Sequence, residues 1–129
     1  MASYALRRAL ALALAGSLVC AAPAAAKQSI TASPNPVEFG QTLVVTGKGW
    51  PVIEFCSRTV RLSLRSDQNA FRIGLVRVSD RGRFRFEWIP RRTRVGPGRW
   101  QLVARMRCES GRDGSVVWAR ASVALRIRA

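Results

Sequence analysis

The side chains that usually carry protein chemistry are sparse in this chain, and histidine is missing altogether. Without an imidazole there is no Ser–His or Cys–His nucleophile pair and no His-based metal site. The acids are Glu38, Glu54, Asp67, Asp80, Glu87, Glu109 and Asp113. Glycoside hydrolysis needs two carboxylates facing each other across a cleft. Here Asp67, Asp80, Glu109 and Asp113 fall in expected turns, where acids bond local backbone amides. Asp67-Gln-Asn69 has only a superficial likeness to a calcium loop, with too few oxygen ligands amid so much positive charge. Gly96-Pro-Gly98 is followed by neither Gly-Lys-Ser/Thr nor a helix, so it is no phosphate loop. Ser57 and Ser110 have no base beside them. The expectation is of a non-enzyme with no catalytic residue, no metal site and no cofactor.

What the chain does have is arginine and a pair of cysteines. Lys and Arg number 22 against 7 Asp and Glu, for a formal charge of +15 over 129 residues. At 48% hydrophobic residues the chain is too apolar for a basic disordered tail, and its length suits one domain. Arg7 and Arg8, the apolar run Ala9 to Val19 and the small residues Ala22-Ala-Pro-Ala-Ala-Ala26 form a secretory leader, with cleavage expected after Ala26. The run is too short to span a bilayer. Cys20 invites a lipoprotein reading, but Ser17-Leu18-Val19 matches the required motif poorly, with bulky Val19 at a position that wants a small side chain. The domain is then residues 27–129, exported and without a transmembrane helix. Removing Cys20 with the leader leaves Cys56 and Cys108, and an even pair in an exported chain reads as a disulfide. Such a bridge would contribute roughly 4 kcal/mol by the chain-entropy model. Even without Arg7 and Arg8, basic side chains far outnumber acids, and all of them except Lys27 and Lys48 are arginine.

The elements that must position these groups read as strands. Ser29-Ile-Thr-Ala-Ser33 is a first short strand, stopped by Pro34-Asn-Pro36. Gln41 to Gly47 follows and ends at Gly47-Lys-Gly49-Trp50-Pro51. Val60, Leu62 and Leu64 alternate with Arg61, Ser63 and Arg65. Phe71 to Val78 is an apolar run with Gly74 as a bulge candidate, and Ser79-Asp-Arg-Gly82 is a hairpin-like turn. Phe84, Phe86 and Trp88 alternate with Arg83, Arg85 and Glu87. Trp100, Leu102, Ala104, Met106 and Cys108 share one phase, and Arg99, Gln101, Arg105 and Arg107 the other. The last strand turns Val117, Ala119, Ala121, Val123, Leu125 and Ile127 inward. No helical period appears after residue 26. About seven short two-faced strands predict a single antiparallel β-sandwich. The outward residues of its third, sixth and seventh strands would converge as an arginine face of Arg61, Arg65, Arg105, Arg107, Arg120, Arg126 and Arg128, with Trp118 among them. A second basic group, Arg91-Arg-Thr-Arg94, lies in the loop before Gly96. Trp50 reads as a loop anchor, and Trp88 and Trp100 as core.

Ala32-Ser-Pro-Asn-Pro-Val37, Phe39-Gly-Gln41 and Val44-Val-Thr-Gly47 resemble the opening of secreted bacterial immunoglobulin-like domains. Asp80-Arg-Gly-Arg-Phe-Arg-Phe86, Pro90 and Pro97-Gly98-Arg99-Trp100 are similar to later segments of the same family. The resemblance implies an immunoglobulin-like fold with Phe84 and Trp100 as core aromatics and Gly82 as a turn glycine. It also implies an accessory, adhesive or spacer role outside the cell, with no catalytic residues.

Guanidinium groups bind phosphate and carboxylate bidentately. An arginine face therefore suits anionic cell-envelope polymers or lipid head groups, and this binding role is the principal expectation. Nucleic acid would bind such a surface through charge alone, so no specific nucleic-acid role is expected. Against it stands a structural or accessory domain without a ligand, its arginines serving solubility and blocking edge pairing. A small hydrolase is the third class, and no residue set supports it.

Overall fold

A computed structural model describes residues 27–129. The leader expected over residues 1–26, its cleavage after Ala26 and the Cys20 thiol lie outside the described residues. Eight strands follow one another: β1 Ser29–Ser33, β2 Val37–Glu38, β3 Leu43–Lys48, β4 Cys56–Arg65, β5 Ala70–Arg77, β6 Phe84–Trp88, β7 Gly98–Glu109 and β8 Val116–Arg128. They form a three-stranded sheet in the order β1-β3-β6 and a five-stranded sheet in the order β2-β8-β7-β4-β5. Among the described residues there is no α-helix, and hence none long and apolar enough to cross a membrane.

The all-β expectation holds, but the single antiparallel immunoglobulin-like sandwich of about seven strands does not. The five-stranded sheet is mixed, because β2 runs parallel to β8, and one sheet curls into a half-barrel. The reason lies in Pro34 and Pro36, which offer no amide hydrogen and end the β1 ladder. The chain then leaves the first sheet for the last strand of the second, pairing Val37 with Ile127 and Glu38 with Arg128. Between the prolines, Asn35 acts as a strand partner through its side chain. Its Nδ2 donates to the Ala124 carbonyl at 2.7 Å, and its Oδ1 accepts the Arg126 amide at 3.1 Å. Further along the same edge, Gln28 Nε2 donates to the Arg120 carbonyl at 3.0 Å. A two-residue parallel pairing and an amide that imitates backbone leave no period-two trace in a sequence.

The Ser79–Gly82 turn closes locally, with the Gly82 amide 3.0 Å from the Ser79 carbonyl, yet it joins β5 and β6 in different sheets and is a crossover rather than a hairpin. Gly82 is required there. Its φ is +74°, and a Cβ would lie 2.5 Å from the Trp50 carbonyl oxygen. Gly74 is required for a different reason: a Cβ on it would run into the Phe86 ring of the facing sheet. Beside it the β4–β5 register slips between Leu62 and Ser63, so that Leu62 faces Gly74 while Ser63 faces Arg72. The bulged residue, Ile73, puts Arg72 on the opposite face from Gly74.

The core fills the space between the sheets. Leu43 and Val45 come from β3, and Val60, Leu62 and Leu64 from β4. Leu102, Ala104 and Met106 come from β7, and Leu125 and Ile127 from β8, all fully or almost fully buried. Each large side chain so buried contributes about 1.5–3 kcal/mol. Phe84 and Trp50 are buried together, their rings 5.8 Å apart, and Trp50 Nε1 donates to the Ser29 carbonyl at 3.3 Å. Trp88 and Trp100 only half-enter the core, Trp100 packing edge-on against Phe71 at 5.6 Å. Cys56 and Cys108 form a disulfide, with directly opposed Cα atoms 4.0 Å apart, that ties β4 to β7.

Candidate anion-binding face

The outer surface of the five-stranded sheet is built by strict alternation. On β4, burying Val60, Leu62 and Leu64 leaves Arg61, Ser63 and Arg65 pointing away from the core. On β7 and β8 the same parity presents Arg99, Gln101, Arg105 and Arg107, and Trp118, Arg120, Ser122, Arg126 and Arg128. Register then decides which of these meet. Arg61 lies opposite Arg105, and Arg105 opposite Arg120, so three arginines form one row across three adjacent strands. The neighbouring rows pair Arg107 with Trp118, Arg65 with Gln101, Arg99 with Arg126 and Glu38 with Arg128. All eight residues of the arginine face thus belong to one side of one sheet. Arg65 and Arg128 stand apart from the central row, and the second basic group does not join it.

Sequence reasoning left three arginines of this surface out. Arg99 has the right parity and could have been included. Arg77 faces Thr59 on the same side. Arg72 was hidden, because its parity matches inward-facing Gly74 and Val76 until the bulge at Ile73 reverses it.

Like charges directly opposite one another in a ladder destabilise it. Among the described residues, Arg61, Arg105 and Arg120 have no carboxylate partner; the ion pairs are Arg58–Asp80, Arg85–Glu87 and Arg107–Glu109. The central row's compensation is aromatic. The Arg105 guanidinium lies 4.9 Å and that of Arg61 5.4 Å from the centroid of the Trp118 ring, contacts worth about 0.5–1 kcal/mol each at an exposed site. Beneath the charges the face is closed. Val103, on the outer parity between Ser63 and Ser122, is 0% exposed. Its neighbours in register are two small serines, and Gln101 and Arg105 stand on either side of it along β7. Gln101 bonds Ser122 at 3.1 Å, and the Nε of Arg65 is buried without a partner. Among the described residues the guanidiniums of Arg61, Arg105 and Arg120 make no hydrogen bond or ion pair, which leaves their donors for a planar or tetrahedral oxyanion.

The remaining candidates sit elsewhere. Arg91 accepts the Arg94 and Val95 amides at 3.0 and 3.1 Å through its carbonyl, forming a single turn. Arg92 lies over Phe39 at 5.3 Å, while Arg91 and Arg94 border a cleft of about 670 Å³ with Trp88, Glu87 and Thr42. Asp80 receives a 2.7 Å hydrogen bond from Arg58, and that bond together with the Arg58 charge holds its carboxyl below the ordinary range. The Ser115 amide, 3.0 Å from Asp113 Oδ1, lowers the Asp113 carboxyl in the same way. Glu54 and Glu109 share a shallow cleft beside the disulfide, with the Arg107 guanidinium 3.9 Å from Glu109. Among the described residues no three His, Cys, Asp or Glu gather as a metal site. Comparison with protein-family models and with curated proteins found no match for the chain.

Proposed function

We propose that the domain is a non-catalytic binding module that holds polyanionic material of the cell envelope against the outer face of its five-stranded sheet. The observation that carries this is the Arg61–Arg105–Arg120 row, in register on three strands, backed by Trp118 and without a carboxylate partner. Such a row costs stability in the free protein, and an anion of matching spacing offsets that cost. Two features support an oxidising, extracytoplasmic setting: the Cys56–Cys108 bridge, which cytosolic thiol buffers would oppose, and the leader-like residues before Lys27.

The test is a salt titration of binding to immobilised long-chain polyphosphate. Affinity should fall steeply as salt rises, because multiple fixed charges release counterions together. The triple variant Arg61→Gln, Arg105→Gln, Arg120→Gln should bind more weakly and with a shallower salt slope. Equal slopes in the two proteins would leave a ligand-free structural or accessory domain as the better account.

A further inference from the structure

Resting on that reading, we infer that the polyanion is the surface of an anionic lipid bilayer, which the domain meets with the disulfide end of its five-stranded sheet. The charge alone does not distinguish a bilayer from a soluble polymer; the apolar side chains beside it do. Ile53, Phe55, Val116, Val117 and Trp118 are 57%, 53%, 44%, 54% and 37% exposed, and they gather at one end of the sheet. Val117 faces Cys108, which faces Cys56, and Val116 faces Glu109. The Glu109 amide donates to the Phe55 carbonyl at 2.8 Å, and the Cys56 amide to that of Ile53 at 3.1 Å. Single exposed apolar residues need no explanation, but a contiguous group does. A hydrated polymer of phosphates or carboxylates has nothing to offer such a group.

The order along β8 is that of a protein seated in an interface. The apolar tip at Val116 and Val117 comes first, the indole of Trp118 next, and the Arg61–Arg105–Arg120 row follows. Arg120 lies four residues from Val116, about 14 Å along the strand. A tip sunk about 5–10 Å into the headgroup boundary would bring Trp118 to the level where indoles concentrate and the guanidiniums to the phosphates. Of the three carboxylates at this end, Glu109 is next to Arg107, Asp113 accepts the Ser115 amide at 3.0 Å, and Glu54 remains as a local cost.

Vesicles of phosphatidylglycerol and phosphatidylcholine, vesicles of phosphatidylcholine alone and soluble polyphosphate separate the possibilities, using the oxidised protein. The expected result is binding to the anionic vesicles that Ile53→Ser with Phe55→Ser weakens by about tenfold or more, with polyphosphate binding unchanged. Both variants change exposed positions, and a retained disulfide and melting temperature confirm that the fold persists. Two outcomes would overturn the inference while leaving the anion-binding role standing. One is polyphosphate binding without vesicle binding; the other is vesicle binding indifferent to the apolar tip. A dimer in sedimentation that dissociates on Phe55→Ser would assign the tip to a second copy and overturn it too. Failure of both polyphosphate and vesicles to bind would sink the anion-binding role itself.

Discussion

The outer faces of the two sheets are made from the same arginine-rich chain by the same alternation, yet their charges are arranged in opposite ways. On the three-stranded sheet, Thr31 faces Thr46 and Thr46 faces Arg85. The two threonine hydroxyls bond one another, and Arg85 is paired with Glu87 at 3.1 Å. The arginine of that row has its own carboxylate, and Lys48 and Arg83 lie at the end of the face. On the five-stranded sheet the corresponding row is Arg61, Arg105 and Arg120, with an indole instead of an acid. The arginine in the central row of one sheet has its own carboxylate, while the row of the other leaves three guanidiniums to the solvent, and the proposed role uses that difference.

The largest effect should come from the bridge that holds the charged sheet together. Reducing Cys56–Cys108, or replacing both cysteines by alanine, should cost roughly 4 kcal/mol in denaturant unfolding. It should also weaken polyanion binding, because β4 and β7 carry two of the three arginines of the row. Next come the two sides of β7. Leu102→Ala opens a cavity between the sheets and should cost about 2–5 kcal/mol. Val103→Ala, which removes less side chain and lies on the outer parity of the sheet, should cost only about 1–2 kcal/mol. Equal costs would mean that the outer face is as tightly packed as the core.

Smaller still are the charge effects. Arg105→Gln should raise the melting temperature in low salt and leave it unchanged in high salt, because it relieves repulsion that salt already screens. Arg85→Gln, where the cation is paired with Glu87 at the surface, should shift stability by no more than about 0.5 kcal/mol in either condition. The smallest effect is acidic. A carboxyl whose folded-state pKa is depressed contributes stability above its unfolded pKa and loses it as pH falls through the folded value. Asp80 is such a group through Arg58. Melting temperature should therefore decline on acidification below the ordinary carboxylate range, and Arg58→Gln should make part of that decline shallower.

Much of this contrast was legible in the sequence, and the rest has specific causes. Strand parity in β4, β7 and β8 sorted Leu62, Leu102 and Leu125 from Arg61, Arg105 and Arg126, since a side-chain period of two survives any arrangement of the strands. The pairing of Cys56 with Cys108 needed only that an even pair remains once Cys20 is assigned to the expected leader. The sheet composition was not legible, because a single antiparallel sandwich and a mixed arrangement bury the same alternating residues. The deciding contacts were the Asn35 side chain on β8 and two residues of parallel ladder. Arg72 was hidden by one bulged residue. The apolar tip was hidden because Ile53 and Phe55 in a loop look the same whether covered or bare, and Val117 has the parity of a core residue but lies beyond the core's end.

The measurement that bears most directly on the unbalanced face is the shift in melting temperature on adding polyphosphate at low salt. A ligand that binds only the folded protein stabilises it by mass action. The wild-type protein should therefore melt at a higher temperature with polyphosphate than without. The Arg61→Gln, Arg105→Gln, Arg120→Gln variant should start higher without ligand and gain much less from it. The same gain in both proteins would show that the charged row does not bind the anion and would contradict the account.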